Sequence, residues 1–195
     1  MMFKESTRDK ILNTAGKLFS QRGYFGVSMS QIAQQVGITK AALYYHFDSK
    51  QDIYLTVLKD TFSSLFSVLE KALNTARTPL TKLFDVIEAY LSFTLERPEV
   101  ALLASSDVEE EGPLAEFSSQ ARLQLTQFLK GLVSALGKGT QISEEKMIFL
   151  GSFLLEFVRW PILAASNPPK KLAQDIIALF FPKIALGTPK ETNSL

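Results

Sequence analysis

The chain has 195 residues, 46% hydrophobic and 21% charged, which is ordinary globular composition with room for one sizeable domain or a small domain joined to a larger one. It has no cysteine and one histidine, which excludes a disulfide framework, a thiolate metal site and any multi-histidine zinc or copper centre. The net charge of +1 says little, but its distribution says more: residues 1–59 carry eight Lys/Arg against four acids, and the remainder carries thirteen against sixteen.

The elements follow from the N-terminus. Met1 to Arg8 has no apolar run behind its charges and does not read as a secretory signal, so a cytoplasmic setting is expected. Ile11, Leu12, Ala15, Leu18 and Phe19 form one apolar stripe of a helix from Ser6 or Thr7 to about Gln21, with Gly23 as its stop. Ser28 or Ser30 can cap a second helix whose inner face is Ile32, Ala33 and Val36, and Gly37 supplies a turn. Thr39 caps a third helix ending near Phe47. Asp48 or Ser49 caps a long fourth one, with Ile53, Tyr54, Val57, Leu58, Phe62, Leu65, Phe66 and Leu69 apolar, running to about Leu73.

Asn74 to Thr78 breaks the pattern, and Pro79 opens a helix to about Glu96. Pro98 restarts the chain similarly. Asp107 to Pro113 is an acidic turn, and a helix follows from about Leu114 to Leu136. Ser143 caps another, and Asn167-Pro168-Pro169 separates that one from a last helix over about Lys170 to Leu186. No strand pattern or internal repeat is present, so the predicted fold class is all-α.

The pair of helices hinged at Gly37 carries the chemistry. Thr39-Lys40-Ala41-Ala42 is short-chained with one long basic arm, which lets a helix backbone approach base edges in a major groove. Lys40 can reach a guanine O6/N7 or a phosphate, and Thr39 a base or a phosphate. Tyr44 and Tyr45 end in hydroxyls able to donate to phosphate oxygens. Lys50 stands at the start of the fourth helix, where free backbone N–H groups also favour an anion. Leu43 and Phe47 read as core, and His46 as a structural link between helices. Positive charge collects in this stretch, as phosphate binding requires.

Leu43-Tyr44-Tyr45-His46-Phe47 with Ser49-Lys50, preceded by Gly23, Ser28-Met29-Ser30-Gln31-Ile32-Ala33 and Val36-Gly37-Ile38-Thr39, resembles the signature of the TetR family of transcriptional regulators. The resemblance is specific over about residues 5–65. It implies a helix-turn-helix DNA-binding domain there, with the motif at about 28–47, a helical ligand-binding and dimerisation domain over 66–187, and a flexible tail over 188–195. It places Ser28, Tyr45 and Lys50 where members hold phosphates, and Thr39, Lys40, Ala41 and Tyr44 where members meet bases or the groove wall. Val27 departs from the pattern, because many members carry a threonine there. The loss removes one phosphate contact or shifts it to Ser28.

Met147 to Ala165 is apolar nearly all round. A transmembrane helix fits its length, but Glu156, Arg159 and Pro161 count against it, since a central charge costs about 2.5–3.5 kcal/mol on insertion scales. A helix buried on its own core and on a partner chain explains both faces. In the last helix Leu172, Ile176, Leu179 and Phe180 form one stripe, broadened by Ile177, Phe181 and Ile184. The resemblance implies a homodimer joined through these two helices, with Phe149, Phe153, Glu156, Trp160, Ile176 and Phe180 as candidate interface residues. It also implies a ligand pocket in the second domain. The candidate lining is Tyr90, Phe93, Leu102, Phe117, Phe128, Phe153, Phe157 and Trp160. Glu156 and Arg159, three apart, are read as an ion pair in preference to ligand anchors.

Other signals fail. Gly131 and Gly137-Lys138-Gly139-Thr140 have the wrong spacing for a phosphate loop and follow no strand. Glu109-Glu110-Glu111 reads as a solvated loop. With no assembled nucleophile, acid–base or metal set, neither enzyme activity nor a cofactor or metal is expected. The expected function is a ligand-responsive DNA-binding transcriptional regulator, most naturally a homodimeric repressor, with operator DNA, a small-molecule effector and a second copy as partners and no membrane. The alternative is a helical small-molecule carrier whose helix pair only supports the fold.

Overall fold

A computed structural model describes residues 6–74, 78–97, 99–100, 112–135, 145, 149–150, 153 and 168–180. Among them are seven helices and no strand. They are α1 (Thr7–Arg22), α2 (Met29–Val36), α3 (Lys40–His46), α4 (Lys50–Leu73), α5 (Pro79–Glu96), α6 (Pro113–Ala135) and α7 (Pro169–Phe180). The predicted all-α class is what is seen. Of the helix predicted from Ser143 only residues 145, 149–150 and 153 are described, all of them helical, and the end of the last helix lies outside the described residues.

Side chains close the starts of the helices as the sequence proposes. Ser6 and Asp9 form a reciprocal capping box at α1, the Asp9 amide donating to Ser6 Oγ at 3.1 Å. Of the two serines offered for α2, Ser28 is the cap. Its Oγ accepts from the Gln31 amide at 3.3 Å while Gln31 Oε1 accepts from the Ser28 amide at 2.8 Å. Thr39 caps α3, accepting from the Ala42 amide at 3.1 Å. Ser49, not Asp48, caps α4, accepting from the Asp52 amide at 3.1 Å. Each such cap is worth about 1 kcal/mol, because it satisfies amides that no helix carbonyl can reach.

The chain forms two compact units. One holds residues up to Phe66 together with Glu96–Leu123, and the other holds Ser67–Leu95 and the chain from Gln124 on. The first unit has one core: Ile11, Ala15 and Phe19 from α1, Ile32 and Ala33 from α2, Leu43 from α3, and Ile53, Tyr54, Val57 and Leu58 from α4. The Phe19 ring meets Tyr54 edge-on with centroids 4.9 Å apart. Burying each large apolar side chain contributes about 1.5–3 kcal/mol, and three helices as short as these hold their shape through that core. The boundary expected near residue 65 follows chain order, whereas the first unit also draws in the start of α6. Leu114 is buried in the same core, and Phe117 lies edge-on to Phe62 at 5.9 Å. No local pattern ties residues 96–123 to α1–α4, because that pairing is made only in three dimensions.

In the second unit Leu83, Val86, Ile87, Tyr90 and Leu91 of α5 are buried, as are Leu125 of α6 and Leu150. The inward face of α7 is Ala173, Ile176 and Ile177, spaced three and four apart. Leu179, placed by the sequence in one stripe with Ile176, is 71% exposed. Among the described residues no helix is long and apolar enough to cross a membrane. Most of Met147–Ala165 lies outside them.

Candidate nucleic-acid interface

The turn between α2 and α3 depends on Gly37, whose φ of 81° is the left-handed conformation that glycine adopts without a Cβ clash. Its amide donates to the Ala33 carbonyl at 3.0 Å and to Gln34 at 3.2 Å, and the Ile38 amide donates to Ala33 at 3.0 Å. This closes α2 and turns the chain directly into the Thr39 cap. α3 is only seven residues long, so its direction is set by anchors. Leu43 and Phe47, four apart, are both buried in the core of the first unit.

With those two side chains inward, the opposite face is fixed. Lys40, Ala41, Tyr44 and Tyr45 are all exposed, Tyr44 at 46% and Tyr45 at 87%. The Lys40 ammonium lies 5.8 Å from the Tyr44 ring centroid, an i, i+4 pair on that face. Ala41 leaves a gap between the longer side chains through which another molecule can approach the backbone. Tyr45 carries its phenol into solvent. His46 is half-buried, with its ring edge-on to Tyr45 at 5.3 Å. Arg8 reaches from α1 to lie 5.0 Å over the Phe47 ring, tying the end of α3 to the start of the chain.

Ser28 and Thr39 are exposed at the N-termini of α2 and α3. Each hydroxyl oxygen accepts a capping bond, which leaves its proton free to donate outward, and each sits where helix amides concentrate positive potential. Val27, at the position of the family's threonine, is buried, so Ser28 is the hydroxyl presented there.

Lys50 is half-buried. Its Nζ donates to the carbonyl of Tyr24 at 2.9 Å and lies 4.1 Å from the centroid of the Tyr24 ring. The Tyr24 ring in turn packs on Tyr54 at 4.9 Å and meets Phe25 edge-on at 5.3 Å. Phe25 itself is 72% exposed. The following turn is tight. A Cβ on Gly26 would lie 2.2 Å from the Arg22 carbonyl oxygen, so only glycine fits. Reading the sequence missed Tyr24, Phe25 and Arg8. The available signal was an aromatic pair placed directly behind the Gly23 helix stop.

The other predicted residues are distributed as follows. Tyr90 and Phe93 are buried in the second unit, where Phe128 and Phe153 are half-buried. Burial pushes the Tyr90 hydroxyl well above the ordinary tyrosine range, and its bond with Thr94 pulls the other way, so it stays neutral at any working pH. Phe117 belongs to the first unit. Leu102, Phe157, Trp160 and Glu156 lie outside the described residues, as does the side chain of Phe180. Of the interface candidates, Phe149 is 68% exposed, Phe153 half-buried and Ile176 buried. A polar cavity of about 460 Å³ within the first unit, lined by Lys10, Lys17, Gln35 and Glu99 among others, was not anticipated.

A three-helix core that pins one face of a short helix and leaves lysine, alanine and two tyrosines on the other defines a helix-turn-helix DNA-reading head. Residues 11–57 match the family model described as bacterial regulatory proteins, tetR family. The chain is 30% identical over 161 residues to the negative transcriptional regulator of the icaADBC biofilm operon, IcaR, of Staphylococcus aureus strain Newman, spanning 81% of this chain and 84% of that protein. It is 29% identical over 149 residues to the transcriptional activator FasR of Mycolicibacterium smegmatis, spanning 76% and 68%. The solved structure of AibR in complex with isovaleryl coenzyme A and operator DNA superposes with a TM-score of 0.75 at 19% identity, over 91% of this chain and 99% of that one. The chain belongs to the TetR family of DNA-binding transcriptional regulators.

Proposed function

We propose that this chain is a ligand-responsive, sequence-specific regulator acting as a homodimeric repressor, released from its operator by a small, largely apolar molecule. The observation that carries the DNA part is the outward face of α3, where Lys40, Ala41, Tyr44 and Tyr45 stand exposed because Leu43 and Phe47 are anchored behind them. Thr39, Lys40, Ala41 and Tyr44 meet base edges or the groove wall. Ser28, Tyr45 and Lys50 donate to phosphates. A repressor is the reading supported by the likeness to IcaR, a negative regulator, which spans most of both chains. An apolar effector is supported by the AibR complex with an acyl-coenzyme A and by the aromatic side chains Tyr90, Phe93, Phe128 and Phe153 of the second unit.

Dimerisation is supported by Phe149 and Leu179, large apolar groups left open to solvent in the second unit. A two-fold dimer suits paired half-sites about 34–36 Å apart, and a ligand that favours one spacing of the two heads shifts the population toward it. The test is selection of duplexes from a random pool by the purified protein, followed by anisotropy titrations with and without acyl-coenzyme A. A palindromic consensus whose affinity falls steeply with salt is expected. Ligand binding with no enriched DNA sequence would establish the carrier alternative instead.

A further inference from the structure

Two local preferences are broken at one contact in the first unit. Gly16 is buried in the middle of α1, where alanine is favoured over glycine. A Cβ there would lie 2.8 Å from Cγ and 3.3 Å from Oε1 of Glu99, and 3.4 Å from Cγ1 of Val57 in α4. The missing side chain is therefore the seat on which Glu99 rests, where α1 meets α4. Glu99 is itself buried, an unusual place for a carboxylate. Among the described residues nothing hydrogen-bonds its Oε2, and the Arg97 Nε at 3.8 Å is too far away to do so. Each departure costs stability. Features that oppose folding and occur together mark a contact kept for another purpose.

The chain around Glu99 leads out of one unit and into the other. α5 ends at Glu96, and the first unit resumes there. Glu99 thus fastens the segment that leaves α5 to α1. That helix in turn bears on the reading helix. Its Ala15 and Phe19 share one core with Leu43, and its Arg8 lies 5.0 Å over the Phe47 ring at the end of α3. A shift of α1 at Gly16 is therefore felt at both anchors of α3. We propose that Glu99 is a positioning residue for DNA binding: seated on Gly16, it fastens the segment leaving α5 to α1 and so sets the pose of α3. The role rests on the DNA-binding reading above.

Measuring stability and DNA affinity together separates this role from a merely structural one. The probe is a duplex enriched from a random pool by the wild-type protein, titrated by anisotropy, with melting temperature followed by circular dichroism. Glu99→Ala empties the seat and should weaken binding about tenfold, the scale of residues that act through others. Its melting temperature should change little, because the buried carboxylate goes with the contact. Gly16→Ala drives a methyl group against Glu99, and should weaken binding similarly while lowering the melting temperature. In the double variant the new methyl group enters the emptied seat. Its melting temperature should rise above that of the wild type through helix preference. Its affinity should nevertheless stay as low as that of either single variant, since all three lose the same contact. Wild-type affinity in Glu99→Ala, affinity that recovers along with stability in the double variant, or losses that add would overturn the proposal. If the wild-type protein enriches no duplex, the DNA-binding reading itself fails, and this role falls with it.

Discussion

The two compact units solve opposite problems with the same element. In the first, short helices are fixed by caps and by a shared core, and the face of α3 opposite that core exposes a small polar and aromatic set: Lys40, Ala41, Tyr44 and Tyr45, with Phe25 close in sequence. In the second, α5 and α7 bury an ordinary aliphatic face, while two large apolar side chains are exposed, Leu179 of α7 at 71% and Phe149 at 68%. On the proposed reading, the polar and aromatic face meets DNA through hydroxyls and ammoniums at helix ends, where geometry is set by capping, and the apolar groups meet a second copy of the chain, where shape and burial count.

The sharpest way to break the contrast is to remove the core that holds the head. Phe19 is fully buried and edge-on to Tyr54, so Phe19→Ala should cost about 3–5 kcal/mol in chemical denaturation and abolish DNA binding. A loss under about 1 kcal/mol would mean that the head does not depend on this core. Next is the open face of the second unit. Leu179→Glu should leave circular dichroism unchanged while weakening self-association by about 2 kcal/mol or more, visible as a shift to monomer in sedimentation. If the variant stays dimeric, Leu179 is not part of the interface.

Smaller effects test the reading face itself. Lys40→Ala should weaken operator binding by about 1–3 kcal/mol and relax base preference at one position of each half-site if the ammonium reads a guanine. Uniform weakening across sequences, with a shallower salt slope, would make it a phosphate contact instead. Tyr45→Phe removes only a hydroxyl and should cost about 1 kcal/mol in affinity with no change in melting temperature, since that hydroxyl faces solvent in the free protein. Unchanged affinity would remove Tyr45 from the interface and leave Tyr44 as the phenol that matters.

Much of this was legible in the sequence. Helical periodicity marked the four N-terminal helices, and side-chain chemistry marked their starts, because a cap is a contact between residues three apart. Serine and threonine at positions 28, 39 and 49 therefore announce helix ends wherever the chain folds. Local spacing also gave the division of α3 into a buried pair, Leu43 and Phe47, and an exposed face. The rotation of α7 was harder to read. Leucine and isoleucine surround it, so periodicity alone allowed a stripe through Leu179, whereas packing put Ala173, Ile176 and Ile177 inward. A small alanine on the buried face is a weak hydropathy signal but a strong packing one.

By itself, then, the sequence determined whatever is decided within one turn of helix: the helical class, the caps, the glycine turn at 37 and the exposed face of α3. Tertiary structure alone decided the contacts between residues far apart in the chain. It joined the start of α6 to the head through Leu114 and Phe117, and it gave the Lys50 ammonium to Tyr24 across 26 residues. The physical reason is range. Backbone hydrogen bonding and side-chain periodicity act over three or four residues and are written in local order. A cation on a distant ring, or a leucine in another helix's core, depends on where folding brings the two segments.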